Sequence, residues 1–240
     1  RHGGLLALRR YIQDIRQTGT LPMFYMNGQK GCASSDVGHE YGPRYAVMNP
    51  NWRDPWEVPV RPEGYVGPYS AYEFCVDTEW WQNYLVETVQ RVVRDTRIPG
   101  VRLDQLAQSA RTCVSDRHEH IFAEPGHNAI LQAEALLIER VREAMDEVAP
   151  ASVLTTEFPG LDRIVCSLDG ALTHDCSRVY PYRPVPCNLL RFYFPECRQY
   201  ELESVHLPQT AAWKFWNAVG TFGNNYPQPY FGILKENSDL

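Results

Sequence analysis

Four apolar runs in this chain stop on polar or ionisable residues. Gly100-Val101-Arg102-Leu103 ends at Asp104, "SVLTT" at Glu157, "GALT" at His174-Asp175 and "MFYM" at Asn27. A charge at the end of a buried strand is costly unless it is paired or opens onto a solvated pocket. If the strands run side by side, these groups converge on one mouth. Two carboxyl groups there, one ionised and one protonated, are the equipment of glycoside hydrolysis.

Residues i and i+2 of a strand share a face. Arg102 and Asp104 are therefore expected to point the same way, with Arg102 holding Asp104 ionised. That makes Asp104 the expected nucleophile. Glu157, behind an apolar run, is expected in drier surroundings with a raised pKa, acting as acid and then base. Asp175 is the reserve carboxylate. A single acidic residue at a strand end is unremarkable, because strand ends meet solvent; the repetition over successive strands carries the reading.

The elements that must position these groups follow one rhythm. Residues 4–17 read as an amphipathic helix and 23–28 as a strand. Trp81, Leu85, Val89 and Val92 recur at helical spacing behind a Thr78 cap, with Pro99 beyond the end. The strand "GVRLD" follows, then a helix from about Asn128 to Val148, the strand 152–157, a brief helix "LDRIVCSL", the strand "GALTHD", a strand "LLRFYF" at 189–194 and a helix "TAAWKFWNAV". Alternating strands and helices predict parallel βαβ units. No G-x-G-x-x-G follows any strand, so a (β/α)8 TIM barrel is favoured over a doubly wound sheet, and barrel sites lie at the C-terminal strand ends. Residues 1–240 are read as a single barrel domain, truncated and lacking one or two N-terminal strands. Further domains of a longer polypeptide are expected.

Residues 29–76 read as a long loop at the mouth. Trp52, Trp56, Tyr65, Tyr69 and Tyr72 crowd it, and aromatic faces stack on sugar rings. Packing of the same side chains as plugs is the bland alternative. The net charge of −6, with scattered Lys and Arg, argues against nucleic acid, and no apolar run reaches membrane-spanning length. A carbohydrate is the expected partner, no cofactor is expected, and an extracellular or periplasmic setting is slightly favoured.

Seven cysteines, at 32, 75, 113, 166, 176, 187 and 197, lack C-x-x-C spacing, so a structural zinc is not expected. One or two disulfides between 166 and 197 compete with buried free thiols. His118 and His120 flank Glu119 in a loop. They read as sugar contacts, as solvated side chains, or, with His174, as ligands of a metal-dependent hydrolase.

Two resemblances add to this. "GVRLDQLAQ" with "VLTTEFPG" is similar to the α-amylase superfamily, where such an Asp is the nucleophile and such a Glu the acid/base. More closely, "YMNG", "YAVMNP", "LDQLA", C-x(4)-H-x-H (Cys113, His118, His120), "LTTEF" and "LDGALTHD" resemble a domain-of-unknown-function family of glycoside-hydrolase-like barrels. The match runs from residue 25 to 175. It implies Asp104 and Glu157 as the catalytic pair, with Gln105, His118, His120 and His174 in the pocket. Two departures stand out: "IFAEPG" replaces a glycine-rich turn, and Arg102 occupies a position often aromatic. Beside the hydrolase stand two alternatives, the metal-dependent hydrolase and a carbohydrate-binding barrel without activity.

Overall fold

A computed structural model describes residues 3–48, 71–106, 112–122, 127–157, 159, 161–172, 193–194, 196–202 and 226–228. In chain order the elements are α1 (Gly4–Gln17), β1 (Phe24–Asn27), β2 (Lys30–Cys32), α2 (Asp36–Tyr45), β3 (Ala71–Glu73), α3 (Glu79–Thr96) and β4 (Gly100–Asp104). They continue with α4 (His127–Val148), β5 (Val153–Glu157), α5 (Asp162–Val165), β6 (Gly170–Leu172), β7 (Arg198–Leu202) and β8 (Tyr226–Gln228). Six strands form one parallel sheet in the order β1-β4-β5-β6-β7-β8, while β2 and β3 pair antiparallel on their own.

The helices α1, α3 and α4 form where the apolar spacing places them. Thr78 accepts the Trp81 N–H at 3.3 Å and caps α3. Trp81, Leu85, Val89 and Val93 then bury one face of that helix. It stops at Arg97, which takes a left-handed conformation just before Ile98 and Pro99. Ile130, Ala133, Leu137, Ile138, Val141 and Met145 form the buried stripe of α4, and the two helices pack together against the sheet. Four of the five β4 residues are buried, with Arg102 half-buried, as expected for a parallel strand covered on both faces.

Two expectations are corrected. The segment 29–76 is not simply a loop, since β2, α2 and β3 lie within it. Ser35 caps α2 by accepting the Gly38 N–H at 3.1 Å, and Tyr41 and Tyr45 stack on Trp80 with centroids 4.5 Å away. Gly38, Gly42 and Pro43 conceal this helix in the sequence, because glycine and proline are poor helix formers. Gly42 is required by packing: a Cβ there would fall 2.1 Å from Tyr72 Cδ2. The second correction concerns the end of 189–194, since residues 189–192 lie outside the described residues, as does the run "TAAWKFWNAV". Tyr193 and Phe194 lie outside any strand, and the strand that pairs with β6 is β7, where the Arg198 N–H joins the Asp169 carbonyl at 3.0 Å. Among the described residues no helix is long and apolar enough to cross a membrane.

Candidate active site

β1, β4 and β5 place their last residues side by side. Asn27 is in register with Asp104, and Leu103 with Thr156, so Asp104 and Glu157 each stand one step further at the same edge of the sheet. The turn after Asp104 is pinned in two ways. The Thr156 hydroxyl lies 2.9 Å from the Leu103 carbonyl and 2.7 Å from that of Leu106. The Gly28 N–H donates to the Asp104 carbonyl at 2.9 Å, and a Cβ on Gly28 would fall 2.4 Å from Leu106 Cγ. The glycine of "YMNG" is therefore there because only a bare backbone fits.

Arg102 joins the two carboxylates. Its Nη2 lies 2.6 Å from Glu157 Oε1 and 3.5 Å from Asp104 Oδ1, so these two oxygens can be no more than about 6 Å apart. The cation is thus closer to Glu157 than to Asp104, whereas the i, i+2 spacing pointed to Asp104 as its partner. Asp104 instead has a donor of its own, the Tyr25 hydroxyl, which bonds to Oδ2. The Tyr25 ring also faces the guanidinium, 5.5 Å from centroid to carbon. Glu157 is 3% exposed, dry as expected from the run before it, and accepts the Gln105 N–H at 3.2 Å. To aim that N–H, Gln105 adopts φ 62°, the left-handed region that non-glycine residues enter only at a cost.

These contacts set the charge state of Asp104. Its carboxyl is pushed up to about 6, chiefly by burial and by the neighbouring Glu157, against the opposing pull of Tyr25 and Arg102. Above that pH it is an anion. The Tyr25 phenol is pushed above its ordinary range, first by burial and then by its bond to Asp104, so it stays a donor. Because the Tyr25 bond favours the Asp104 anion, Tyr25→Phe is expected to move the acid limb of any Asp104-dependent activity to higher pH. At neutral pH the rate should fall about 10- to 100-fold, the worth of a hydrogen bond to a charged group. A pH–rate profile of the variant checks both.

The remaining predicted site residues separate into groups. Asn27 Oδ1 accepts the N–H groups of Gln29 (3.0 Å) and Lys30 (2.7 Å), closing the turn after β1. Gln105 contributes its backbone rather than its side chain to Glu157. Tyr72 packs against Gly42 and Phe74. Trp52, Trp56, Tyr65, Tyr69, His174 and Asp175 lie outside the described residues, as do Cys176 and Cys187. Cys166 and Cys197 are free thiols, Cys197 buried. His118 and His120 do not join the carboxylates; they cluster with Cys75 and Cys113, all four donor atoms lying within 4.8 Å of one another. A cavity of about 450 Å³ opens beside Asn27, lined also by Lys30, Ser35, Asp36, Trp81 and Tyr84, and neither Asp104 nor Glu157 lines it.

Sequence reasoning missed Tyr25 and Cys75. The signal for Tyr25 was available, since it shares a strand face with Asn27. For Cys75 there was none, because 37 residues separate it from Cys113.

The family model of a domain of unknown function, DUF6259, matches residues 2–187. The chain belongs to this family. That agrees with the family type to which the motifs from "YMNG" to "LDGALTHD" point. Among curated proteins none matches this DUF6259 chain. Its fold is similar to that of solved glycoside hydrolases. The glycoside hydrolase domain of PelA from Pseudomonas aeruginosa has a TM-score of 0.57 at 13% identity, over 93% of this chain and 85% of that one. Ega3 of Aspergillus fumigatus, solved with galactosamine, has a TM-score of 0.54 at 9% identity, over 85% and 73%. The α-galactosidase of Thermus thermophilus, solved with stachyose, has a TM-score of 0.60 at 14% identity, over 97% of this chain and 51% of that one, so the DUF6259 chain spans about half its length. At such identities the likeness is one of fold.

Proposed function

We propose that this DUF6259 chain is a glycoside hydrolase acting on O-glycosidic bonds of an oligo- or polysaccharide with retention of configuration. The observation that carries the proposal is the meeting of Asp104 and Glu157, from neighbouring parallel strands, on one guanidinium nitrogen of Arg102. An upper bound of about 6 Å between the bridged oxygens falls below the roughly 6.5–9.5 Å of inverting enzymes and admits the roughly 5–5.5 Å of retaining ones. The parallel order of the six strands and the likeness to glycoside hydrolase folds support reading the sheet as the wall of a (β/α)8 barrel. The carboxylates then stand at its mouth, where barrel sites form.

In the first step an oxygen of Asp104 attacks the anomeric carbon. The bond to the leaving sugar breaks, and Glu157 gives its proton to the departing oxygen. Arg102, 2.6 Å from Glu157 and 3.5 Å from Asp104, stays in reach of both carboxyl groups as the proton moves. In the second step the Glu157 carboxylate takes a proton from water, whose oxygen attacks the anomeric carbon and releases Asp104. Tyr25 holds the attacking carboxylate in place throughout, and the Gln105 N–H orients Glu157.

Because Asp104 is an anion only above about pH 6, kcat/KM is expected to fall as pH drops through that value. A profile flat down to pH 4 would contradict the nucleophile assignment. The proposal itself is tested by incubating the chain with a panel of oligosaccharides and aryl glycosides, including hexosaminides and α-galactosides. Release of reducing ends, with the first product formed as the substrate's own anomer by NMR, is the expected result. Sugar binding without turnover, surviving both Asp104→Asn and Glu157→Gln, would favour the non-catalytic carbohydrate-binding barrel.

A further inference from the structure

The thiol–imidazole cluster has the make-up of a metal site, and it stands apart from the carboxylate pair. Cys75 follows β3, whereas Cys113, His118 and His120 come from the loop after β4. Cys75, Cys113 and His118 are buried, with exposures of 0%, 3% and 7%. A tetrahedral shell with Zn–S of about 2.3 Å and Zn–N of about 2.0–2.1 Å needs donor-to-donor edges of roughly 3.3–3.8 Å. The Cys113 Sγ to His118 Nε2 edge is 3.5 Å. Every other edge is at most 4.8 Å, so closure asks for movements of about an ångström by side-chain rotation.

The groups around the cluster are arranged as the outer shell of a metal site. His118 Nδ1 lies 2.8 Å from the Arg44 carbonyl, which fixes that nitrogen as the donor and turns the lone pair of Nε2 toward the sulfur. The Met48 N–H donates to Cys113 Sγ at 3.4 Å, a contact that suits a metal-bound thiolate. His120 Nε2 is buried and has no hydrogen-bonding partner. A buried imidazole nitrogen left in that state is costly, and a metal bond would satisfy it.

We propose that Cys75, Cys113, His118 and His120 bind a zinc ion in a closed tetrahedral site. Two soft sulfurs with two imidazoles select zinc among the divalent ions that accept tetrahedral geometry. Binding expels the two thiol protons, and a dication with two thiolates leaves the buried site uncharged. Four protein donors leave no position for water, so the ion is structural and takes no part in bond cleavage. It ties the loop after Asp104 to the segment entering α3. That loop is already joined to the same segment by the Ile121 N–H to the Asp77 carbonyl (3.0 Å), and to the chain just after α2 by the Val114 N–H to the Met48 carbonyl (2.8 Å). The C-x(4)-H-x-H motif thereby has a role that needs no sugar.

The test uses the full chain, expressed in zinc-supplemented medium and purified under reducing conditions. About one zinc per chain is expected. Cobalt substitution should give the thiolate-to-cobalt charge-transfer absorption and the intense visible bands of a tetrahedral ion. Cys113→Ser and His120→Ala should each lower zinc retention during dialysis against a chelator by at least tenfold, about 1.4 kcal/mol. Should these variants fail to fold, the cobalt spectrum of the unaltered chain still decides. Zinc below about a tenth of an equivalent, cobalt bound without thiolate absorption, or a Cys75–Cys113 disulfide in the freshly purified protein would each overturn the proposal. None of these readouts is glycosidase activity, so this site stands or falls separately from the carboxylate pair.

Discussion

Asp104→Asn is expected to abolish glycoside turnover while leaving the protein folded and, at alkaline pH, more stable than the parent. With Asp104 as the proposed nucleophile, its removal should cost on the order of 10⁴- to 10⁶-fold in rate, as for residues that act as one unit. The stability gain follows from the same burial that positions the group. The Asp104 carboxyl is raised to about 6 in the fold, from an ordinary value near 3.8. Its favourable contribution is therefore complete below about pH 3.8 and is lost as pH rises through about 6. At pH 8 the parent holds a buried anion beside Glu157, which an amide avoids. The gain at pH 8 should be about 1–3 kcal/mol and should vanish near pH 4, as read by denaturant unfolding at the two pH values. Glu157→Gln should lose activity by about 10²- to 10⁴-fold, less on aryl glycosides, whose leaving groups need no proton. A pair of variants that both turned over oligosaccharides at near-parental rates would remove the hydrolase reading.

Arg102→Met is the second large effect, and it falls on stability as well as rate. The guanidinium is the counter-charge for two carboxylates, with its side chain 14% exposed and those of Asp104 and Glu157 11% and 4% exposed. Breaking a buried ion pair by deleting one partner costs about 3–5 kcal/mol, since the charge left behind has neither water nor a counterion. Arg102 lowers the pKa of Asp104, so its loss pushes that carboxyl further up. The penalty should accordingly be larger at pH 8 than at pH 5, where Asp104 is already protonated. Arg102→Lys should recover only part of the loss, because a point charge cannot span both carboxylates as the fork does. Urea unfolding at both pH values measures this. A pH-independent loss would mean that packing alone is at stake.

How far the site could be read from the sequence depended on the kind of signal each residue carried. Asp104 and Glu157 were legible because each ends a short apolar run. A parallel sheet covered on both faces leaves few other places for a charge. Thr78 was legible because an N-cap is a local event, decided within three residues. The partner of Arg102 was not, since its closest carboxylate lies on the next strand and register, not spacing, brings Glu157 within 2.6 Å. The helix α2 was hidden by Gly38, Gly42 and Pro43, whose propensities are overridden by the Ser35 cap and the aromatic stack on Trp80. At the end of the run "LLRFYF", Tyr193 and Phe194 lie outside any strand, because a short apolar run fits a strand pattern without fixing one. Cys75 shows the limit of spacing rules. The absence of C-x-x-C argued against zinc, yet the fold brings a cysteine from before α3 against Cys113, His118 and His120.

The proposed attack by Asp104 on an anomeric carbon is open to a direct test. The chain would be incubated with activated fluorosugars of the glycoside class it cleaves, which form the covalent intermediate but release it slowly, and the labelled peptide sequenced by mass spectrometry. The account predicts one sugar per chain, attached to Asp104 in the peptide that contains "VRLDQLAQ", and no label in Asp104→Asn. A label on Glu157, or a cleaving enzyme that acquires no label and yields the inverted anomer, would contradict it.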